Sequence, residues 1–299
     1  QTIDAFAPAE KIGLVASVSP EGLPHITLIT SISASGPKQL TLGEFCKGRS
    51  KAHVQEHPDI AFLVLTMDRR MWRGHARWTH LRQEGPEYER YNELPMYRYN
   101  AYFGINTVHY LDLVDLRGPD RLPLLKIIVS ALMTKISKQT TASSPQERVL
   151  TDFGENLFNR MDALKFMAYI RADGFPEIVP LLQCQAEGSG RLVFSPWAFE
   201  KELGNIPPGQ DVAVFGLTMK MEDVLVRGVF NGMSRSRGIQ TGNISIDWVY
   251  NSMPPCHGQI YPPVPLQPVT EFADFKPARL QSVFVLIDAR PKNGMAAST

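Results

Sequence analysis

Alternating apolar and polar positions divide the first third of the chain into short predicted strands. Residues 12–19 alternate and end in Ser19-Pro20-Glu21-Gly22, a turn composition in which proline presets φ and glycine tolerates positive φ. The same criterion predicts strands over 25–33, 39–43, 60–66, 71–78 and 107–116. The strand 60–66 is apolar enough to be buried on both faces. Many short strands separated by turns are typical of a β-barrel or a β-sandwich.

Helices are predicted at two places among these strands. Residues 50–57 form a short helix that Pro58 ends, and residues 122–138 have helical apolar spacing. A polar loop follows, and Ser144-Pro145-Gln146-Glu147 then has the form of a capping box with proline at the first helical position. We therefore predict two domains, 1–143 and 144–299. A final strand is predicted over 282–287, after a proline-rich stretch.

The chain contains an internal repeat. Residues 12–18, followed by Glu21-Gly22-Leu23-Pro24, match residues 164–170, followed by Asp173-Gly174-Phe175-Pro176, at a shift of 152 positions. Three further matches keep the same order: Leu40-Thr41-Leu42 with Leu192-Val193-Phe194, Arg73-Gly74 with Arg227-Gly228, and Leu111-Asp112 with Ile246-Asp247. Because the order of the matched segments never changes, we predict that the chain is a tandem duplication of one mostly β domain.

Composition and charge exclude several classes of protein. Of the 299 residues 43% are hydrophobic, which is enough for a core, and a net charge of +1 gives no field for binding nucleic acid or an anionic membrane. We find no apolar run of the roughly 18 to 20 residues that a membrane span needs, and no export signal. Three widely separated cysteines, Cys46, Cys184 and Cys256, make no disulfide framework. We therefore expect a cytoplasmic protein without nucleic-acid or membrane partners.

A basic cluster, Lys47-Gly48-Arg49-Ser50-Lys51, joins a predicted strand to the first short helix. A guanidinium, a hydroxyl, an ammonium and free amides at a helix start suit a phosphate dianion, although a solvated basic turn would have the same composition. The second repeat lacks the cluster, since residues 197–205 hold Lys201 and Glu202 but no arginine and no Ser-Lys pair. Loss from one copy favours a role in binding over a role in folding.

Residues 10–80 resemble the pyridoxamine-phosphate-oxidase-like split β-barrels, which bind FMN, and residues 162–250 resemble them more weakly through the repeat. The resemblance is carried by Glu21-Gly22-Leu23-Pro24-His25 after the opening strand, by the run Arg-Ser-Lys-Ala-His-Val-Gln-Glu-His-Pro at 49–58, and by the apolar and glycine-centred strands that follow. It implies a mainly β (α+β) fold of two tandem split β-barrels, forming an intramolecular pseudo-dimer with short peripheral helices.

The resemblance also implies a set of FMN-binding residues. In the family a Ser-Arg-Lys-type motif holds the FMN phosphate; here the order is Arg49-Ser50-Lys51, with serine and arginine exchanged. The second strand would add side chains and backbone donors, and backbone amides on the third strand would replace a polar residue of the family. The implied residues are His25, Thr27, Ile29, Thr30, Leu42, Gly43, Arg49, Ser50, Lys51 and Trp197.

The family normally forms a homodimer with the flavin in the cleft between two barrels. A fused duplicate could build that cleft within one chain, as a monomeric pseudo-dimer or a homodimer of such chains. Candidate aromatic walls from the second half are Trp197, Phe199 and Trp248, although buried aromatic residues more often belong to a core.

The resemblance implies an FMN-dependent oxidoreductase that acts with a small-molecule redox substrate or electron donor. We identify no catalytic residue, and the family's pyridoxamine-phosphate substrate residues are not matched. The alternatives are a non-catalytic flavin- or haem-binding electron carrier, a deazaflavin-dependent reductase and a barrel that binds nothing.

Other candidate chemistry in the sequence is weaker. His53 and His57, with Cys46 nearby, have metal-ligand spacing but no fourth ligand, so we expect no metal site. The Cys256-His257 pair lies in a proline-rich loop without any sign of a lowered thiol pKa. No glycine-rich nucleotide-binding motif is present.

Overall fold

The structure is a computed structural model that describes residues 6, 11–44, 49–94, 104–138, 148–251 and 258–264. Residues 1–265 form one compact unit, and residues 266–299 are a second unit that lies outside the described residues. The described strands are β1 Lys11–Val18, β2 Pro24–Leu28, β3 Ser33–Gly36, β4 Gln39–Glu44, β5 Asp59–Thr66, β6 Arg70–Arg82, β7 Thr107–Arg121, β8 Leu164–Ile170, β9 Pro176–Pro180, β10 Gln185–Ala186, β11 Arg191–Phe194, β12 Gln210–Leu217, β13 Asp223–Ser236, β14 Ile239–Asn251 and β15 Gly258–Tyr261. The described helices are α1 Arg49–Glu56, α2 Pro86–Glu93, α3 Leu124–Ser137, α4 Asp152–Asn159 and α5 Glu200–Leu203, with a 3₁₀ turn at Trp197–Phe199.

The strands form two antiparallel sheets with the same strand order. The first sheet runs β2-β1-β5-β6-β7-β4-β3. The second runs β9-β8-β12-β13-β14-β11-β10, and β15 pairs with β14 in addition. Each strand of the first sheet therefore has a counterpart in the second, so that β1 corresponds to β8, β2 to β9 and β6 to β13. The mainly β fold class predicted from the sequence is confirmed.

The strand β5 lies inside the first sheet and is buried on both faces, as predicted. Phe62 and Val64 pack in a core made only of first-half residues. Leu63 and Leu65 point the other way, into a core that they share with the second sheet. Each such side chain contributes about 1.5–3 kcal/mol by burial. The shared core joins the two halves of the chain.

The predicted single strand over 25–33 is wrong. The Ile29 N–H donates to the Gly13 carbonyl at 2.7 Å, but the Ile32 N–H then donates to the Ile29 carbonyl at 3.3 Å, so the chain turns at Thr30-Ser31. This turn carries the chain from β2 to β3, which lie at opposite ends of the sheet order. In a continuous strand Ile29 and Ile32, three residues apart, would lie on opposite faces, whereas both are buried in the first-half core.

The two predicted helices among the strands are confirmed as α1 and α3, with bounds shifted by one or two residues at each end. The capping box at 144–147 and the strand at 282–287 lie outside the described residues. The domain boundary between residues 143 and 144 falls in the same undescribed segment and stays a prediction.

Gly228 occupies a position where the sheet requires glycine. It follows Arg227 at a register shift between β13 and β14, and a Cβ atom there would collide with the Ser245 carbonyl. We expect Gly228→Ala to lower the free energy of unfolding by about 2–4 kcal/mol, because the backbone must move to admit a methyl group. Urea titration measures this. The control Gly190→Ala meets no atom within 4 Å, and an equal loss in both variants would contradict the steric explanation.

Candidate functional site

The first half contributes hydroxyl and imidazole groups where α1 packs against β1 and β2. Ser50 is buried near the start of α1, and its hydroxyl hydrogen-bonds the Thr27 hydroxyl on β2. Nearly one turn later His53 is also buried, with Nδ1 3.2 Å from the Ser17 hydroxyl on β1. His25 shares a face of β2 with Thr27, and its ring meets the His53 ring edge-on at 5.2 Å between centroids. Five polar side chains therefore lie together where α1 packs against β1 and β2: Ser17, His25, Thr27, Ser50 and His53.

Both imidazoles in this cluster are neutral at physiological pH. Burial above all, with smaller contributions from His53, Arg227 and Arg49, lowers the pKa of His25 to about 3. Burial and the Arg49 charge also lower the pKa of His53. A neutral imidazole offers one N–H donor and one acceptor nitrogen. A bound anion would raise both pKa values, because it would offset the nearby positive charges.

The second half contributes an arginine and two aromatic rings to the same place. Arg227 on β13 and Trp248 on β14 are cross-strand neighbours, and the guanidinium carbon lies 3.9 Å from the Trp248 ring centroid. The Tyr250 ring stacks on Trp248 at 5.5 Å and an interplanar angle of 3°. Arg49, from the first half, lies 5.2 Å from Tyr250 and 5.8 Å from Trp248. Guanidinium groups from opposite halves therefore meet over one aromatic stack.

Neither guanidinium forms an ion pair within the described part of the chain. Glu21 and Asp247 act on Arg227 only through weaker electrostatic attraction. Burial and repulsion from Arg49 lower the pKa of Arg227, and its buried Nε has no hydrogen-bond partner among the described residues. A buried polar group without a partner costs about 1–3 kcal/mol. An anion placed between the two guanidiniums would satisfy both, so the cluster has the chemistry of an anion site.

Two of the predicted backbone donors are not available to a ligand. Ile29 donates its N–H to a β1 carbonyl at 2.7 Å, and Gly43 donates its N–H to the Ser31 hydroxyl at 3.0 Å. Both hydrogens are therefore used within the chain, and a role of Ile29 and Gly43 in cofactor binding stays a prediction that their N–H groups do not support. The Ile29 and Leu42 side chains lie in the first-half core, and Thr30 is half-buried in the turn after β2.

The remaining residues predicted to bind or cover the cofactor lie at separate places in the fold. Lys51 is half-buried on α1 beside Ser50. Trp197 is exposed on the 3₁₀ turn, with the Lys126 ammonium 5.9 Å from its ring centroid, and Phe199 is buried in the shared core. Of the three candidate wall residues, Trp248 is the one that the structure places against Arg49.

Arg227 and Tyr250 were not predicted from the sequence. The usable signal was the Arg-Gly match in the repeat, which marks Arg227 as the counterpart of Arg73. Alternation along β14 also places Tyr250 on the same face as Trp248. Which arginine faces α1 depends on packing between strands about 200 residues apart, and local pattern does not encode that.

In the first half, the counterpart of Arg227 is neutralised by carboxylates. Arg73 occupies the matching position on β6, and its Nη2 lies 3.2 Å from Glu202 on α5 and 3.5 Å from Asp120. The helix α5 follows β11 as α1 follows β4. Where α1 presents the cation Arg49 to Arg227, α5 thus presents an anion to Arg73.

A second carboxylate replaces an imidazole at the same cleft. Glu177 occupies on β9 the position that His25 occupies on β2, since β9 pairs with β8 in the same way as β2 pairs with β1. Its carboxylate accepts from Arg117 at 2.7 and 3.0 Å and lies 3.3 Å from Nε2 of His75. Burial opposes both charges, but the carboxylates of Glu177 and Asp115 raise the pKa of His75, and the cations of His75 and Arg117 lower the pKa of Glu177. The charges of this second cleft are therefore compensated within the chain.

No group of three or more potential metal ligands occurs within the described ranges. His57 is exposed at the end of α1, whereas Cys46, Cys256 and His257 lie outside the described residues. Cys184 is fully buried, and burial raises its pKa to about 12. Its thiol is therefore protonated.

No helix in the described part of the chain combines the length and the apolar character needed to cross a membrane. No protein-family model matches the chain, and no curated protein is significantly similar to it. Several solved structures are distantly similar. HupZ of Group A Streptococcus matches at 16% identity and a TM-score of 0.32, covering 38% of this chain and 87% of its own.

Two further solved structures resemble the chain at the same level. An FMN-binding protein from Syntrophomonas wolfei matches at 16% identity and a TM-score of 0.32, over 38% of this chain and 79% of its own. The styrene monooxygenase flavin reductase of Pseudomonas putida matches at 10% identity and a TM-score of 0.27, over 38% and 85%. At TM-scores below 0.5, these similarities carry no functional weight.

Proposed function

We propose that the chain binds one FMN in the cleft between its two halves and acts as a flavin-dependent oxidoreductase. The observation that carries the proposal is the pair of guanidiniums, Arg49 and Arg227, which meet over an aromatic stack without any carboxylate partner among the described residues. Two guanidiniums without a carboxylate partner favour a bound anion, the neighbouring rings favour a flat group, and FMN has both parts.

The chain supplies donors suited to the phosphate of FMN. A phosphate monoester carries about −1.5 to −2 charges at neutral pH, which the two guanidiniums would balance, and the Lys51 ammonium would add one further positive charge. Thr27 and Ser50 share one hydrogen bond but have two hydroxyl hydrogens, so one hydrogen is left to donate to a ligand. In this proposal Arg49, Ser50, Lys51 and Arg227 hold the phosphate.

The aromatic stack suits the ring of the cofactor. Trp248 is buried beneath the Arg227 guanidinium, so the half-buried Tyr250 stacked on it is the ring that a flavin would contact, and aromatic groups stack favourably in offset arrangements. FMN, when bound, would supply hydride or electron transfer. The chain would bind the cofactor, orient it and exclude water from it. The neutral His25 and His53 would donate hydrogen bonds without adding charge.

We also propose that the two halves, 1–143 and 144–299, derive from one duplicated domain and that only one of the two clefts binds flavin. Identical strand orders support the duplication. The carboxylates Glu177 and Glu202 support the loss, because they occupy the second cleft and would repel a phosphate. One flavin per chain is therefore the expected stoichiometry.

The visible spectrum of the purified chain tests the proposal. We expect a yellow protein that releases one FMN per chain on heat denaturation, identified by mass spectrometry of the supernatant. A preparation that is colourless should bind added FMN at the same ratio. A Soret band would establish haem binding, and uptake of a deazaflavin but not FMN would establish the other cofactor class. A chain that binds none of these would refute cofactor binding in the cleft.

A further inference from the structure

The helix α3 turns its small and polar residues towards the protein and its large aliphatic residues outwards, which is the reverse of an ordinary surface helix. The face that packs on the second half consists mostly of small or polar residues, including Ser130, Ala131 and Thr134. The opposite face carries large aliphatic side chains that are between 43% and 81% exposed: Leu125, Ile128, Val129, Leu132 and Ile136. A surface helix normally turns its aliphatic face towards the core. A contiguous exposed aliphatic stripe of this kind marks an interaction site.

The helix does not need its outward face in order to stay in place. The Gln185 side-chain amide donates to the Ala131 carbonyl at 2.9 Å, and the Ser195 N–H donates to the Thr134 hydroxyl at 2.8 Å. Near the end of the helix the Ser236 hydroxyl donates to the Ser137 carbonyl at 2.7 Å. These bonds fix α3 on the second half by its inner face. The aliphatic stripe is therefore presented on a helix that is held in place without it.

The spacing within the stripe is that of a two-stranded helical seam. Leu125, Val129, Leu132 and Ile136 follow one another at intervals of four, three and four residues, which is the spacing of alternating d and a positions in a heptad. Leucine stands at both d positions, and a β-branched residue stands at both a positions. A seam with this spacing packs knobs into holes against a facing helix that carries the same spacing.

We propose that this stripe, formed by Leu125, Ile128, Val129, Leu132 and Ile136, is the self-association surface of the protein, on which α3 of a second copy packs antiparallel. Antiparallel pairing about the middle of the helix places Leu125 against Ile136 of the second copy and Val129 against its Leu132. Each aliphatic side chain of the seam then meets another, and the opposed helix dipoles attract.

Charge is compatible with a second copy in this arrangement. The exposed Lys126 and Lys135 flank the stripe on opposite sides of the helix. In the antiparallel pair each lysine lies about 13 Å along the axis from its own counterpart, since the two positions are nine residues apart in register. This exceeds the screening length of about 8 Å at physiological ionic strength. The net charge of +1 adds little repulsion between whole chains.

Sedimentation equilibrium of the full chain tests the pairing. Two heptads bury less than a standard interface of about 1,600 Å², so we expect a reversible dimer over about 1–100 µM. Leu132→Lys should raise the dimer dissociation constant at least tenfold. Val114→Lys is the matched control, because Val114 is an equally exposed aliphatic residue on β7 outside the stripe. A chain that is monomeric throughout, or a dimer unaffected by Leu132→Lys, would overturn the proposal.

Engineered disulfides test the direction of the helices. Under mild oxidation the double variant Leu125→Cys/Ile136→Cys should form covalent dimers, because each new cysteine faces its partner across the seam. The single variant Leu125→Cys should not, since its two copies lie about 16 Å apart along the axis, beyond disulfide reach. The unaltered chain controls for native cysteines. Efficient cross-linking by the single variant would show a parallel pair and refute the antiparallel arrangement.

Discussion

Replacing Arg227 by methionine should weaken FMN binding by about 10- to 100-fold. A charge-assisted hydrogen bond contributes about 1.5–3 kcal/mol, and the half-buried Arg227 has no competing ion pair in the described part of the chain. Methionine retains an unbranched side chain of similar length, so packing over Trp248 is largely kept. Quenching of flavin fluorescence on titration with the protein gives the dissociation constant.

A matched ligand shows whether Arg227 acts on the phosphate or on the ring. Riboflavin has the same ring system as FMN but no phosphate, so Arg227→Met should change riboflavin affinity little. Arg235→Met on the same strand is the control for removing an exposed arginine. Equal losses for FMN and riboflavin would place Arg227 against the ring, and unchanged FMN affinity would exclude it from the site.

The sequence pattern within single elements predicted the parts of the fold that depend only on the residues of those elements. The two-sided burial of β5, the helix that Pro58 follows and the Arg49-Ser50-Lys51 cluster at its start could all be found without a structure. The turn at Thr30-Ser31 could not, because alternation continues through it in the sequence. There a tertiary bond from Ile29 to β1 decides where the strand ends.

The site depends on pairing that local pattern does not contain. The repeat identified equivalent arginines, Arg73 and Arg227, but gave no reason why one is neutralised and the other is not. The difference arises from the helix opposite each of them, since Glu202 faces Arg73 whereas Arg49 shares the Trp248 stack with Arg227. The matched segments of the two halves therefore locate both clefts, and only the packed structure separates them by charge.

A second large effect, on the free energy of unfolding, is expected on substitution of Glu177, whose carboxylate links the two halves of the chain. Its carboxylate, nearly buried on β9, contacts Arg117 and His75 of the first half. Glu177→Gln keeps the shape but leaves the buried His75 facing one fewer anion. Breaking a buried pair costs about 3–5 kcal/mol, and we expect about 3 kcal/mol because Arg117 is half-exposed. Urea unfolding at pH 6 measures the loss, and Asp59→Asn, which breaks an exposed pair with Arg77, should cost less than about 1 kcal/mol.

The pH dependence of this loss identifies its cause. His75 has a raised pKa in the fold, so its contribution is complete below its ordinary pKa of 6.5 and is lost as pH rises through the folded value. Glu177 has a lowered pKa, so its contribution is complete above its ordinary 4.5 and is lost as pH falls through the folded value. The difference between the unaltered chain and Glu177→Gln should therefore be largest between about pH 4.5 and 6.5. His25, whose pKa is about 3, destabilises both proteins as pH falls below 6.5, and this cancels in the difference. A loss that is constant from pH 4 to 9 would mean that Glu177 acts through packing rather than through its charge.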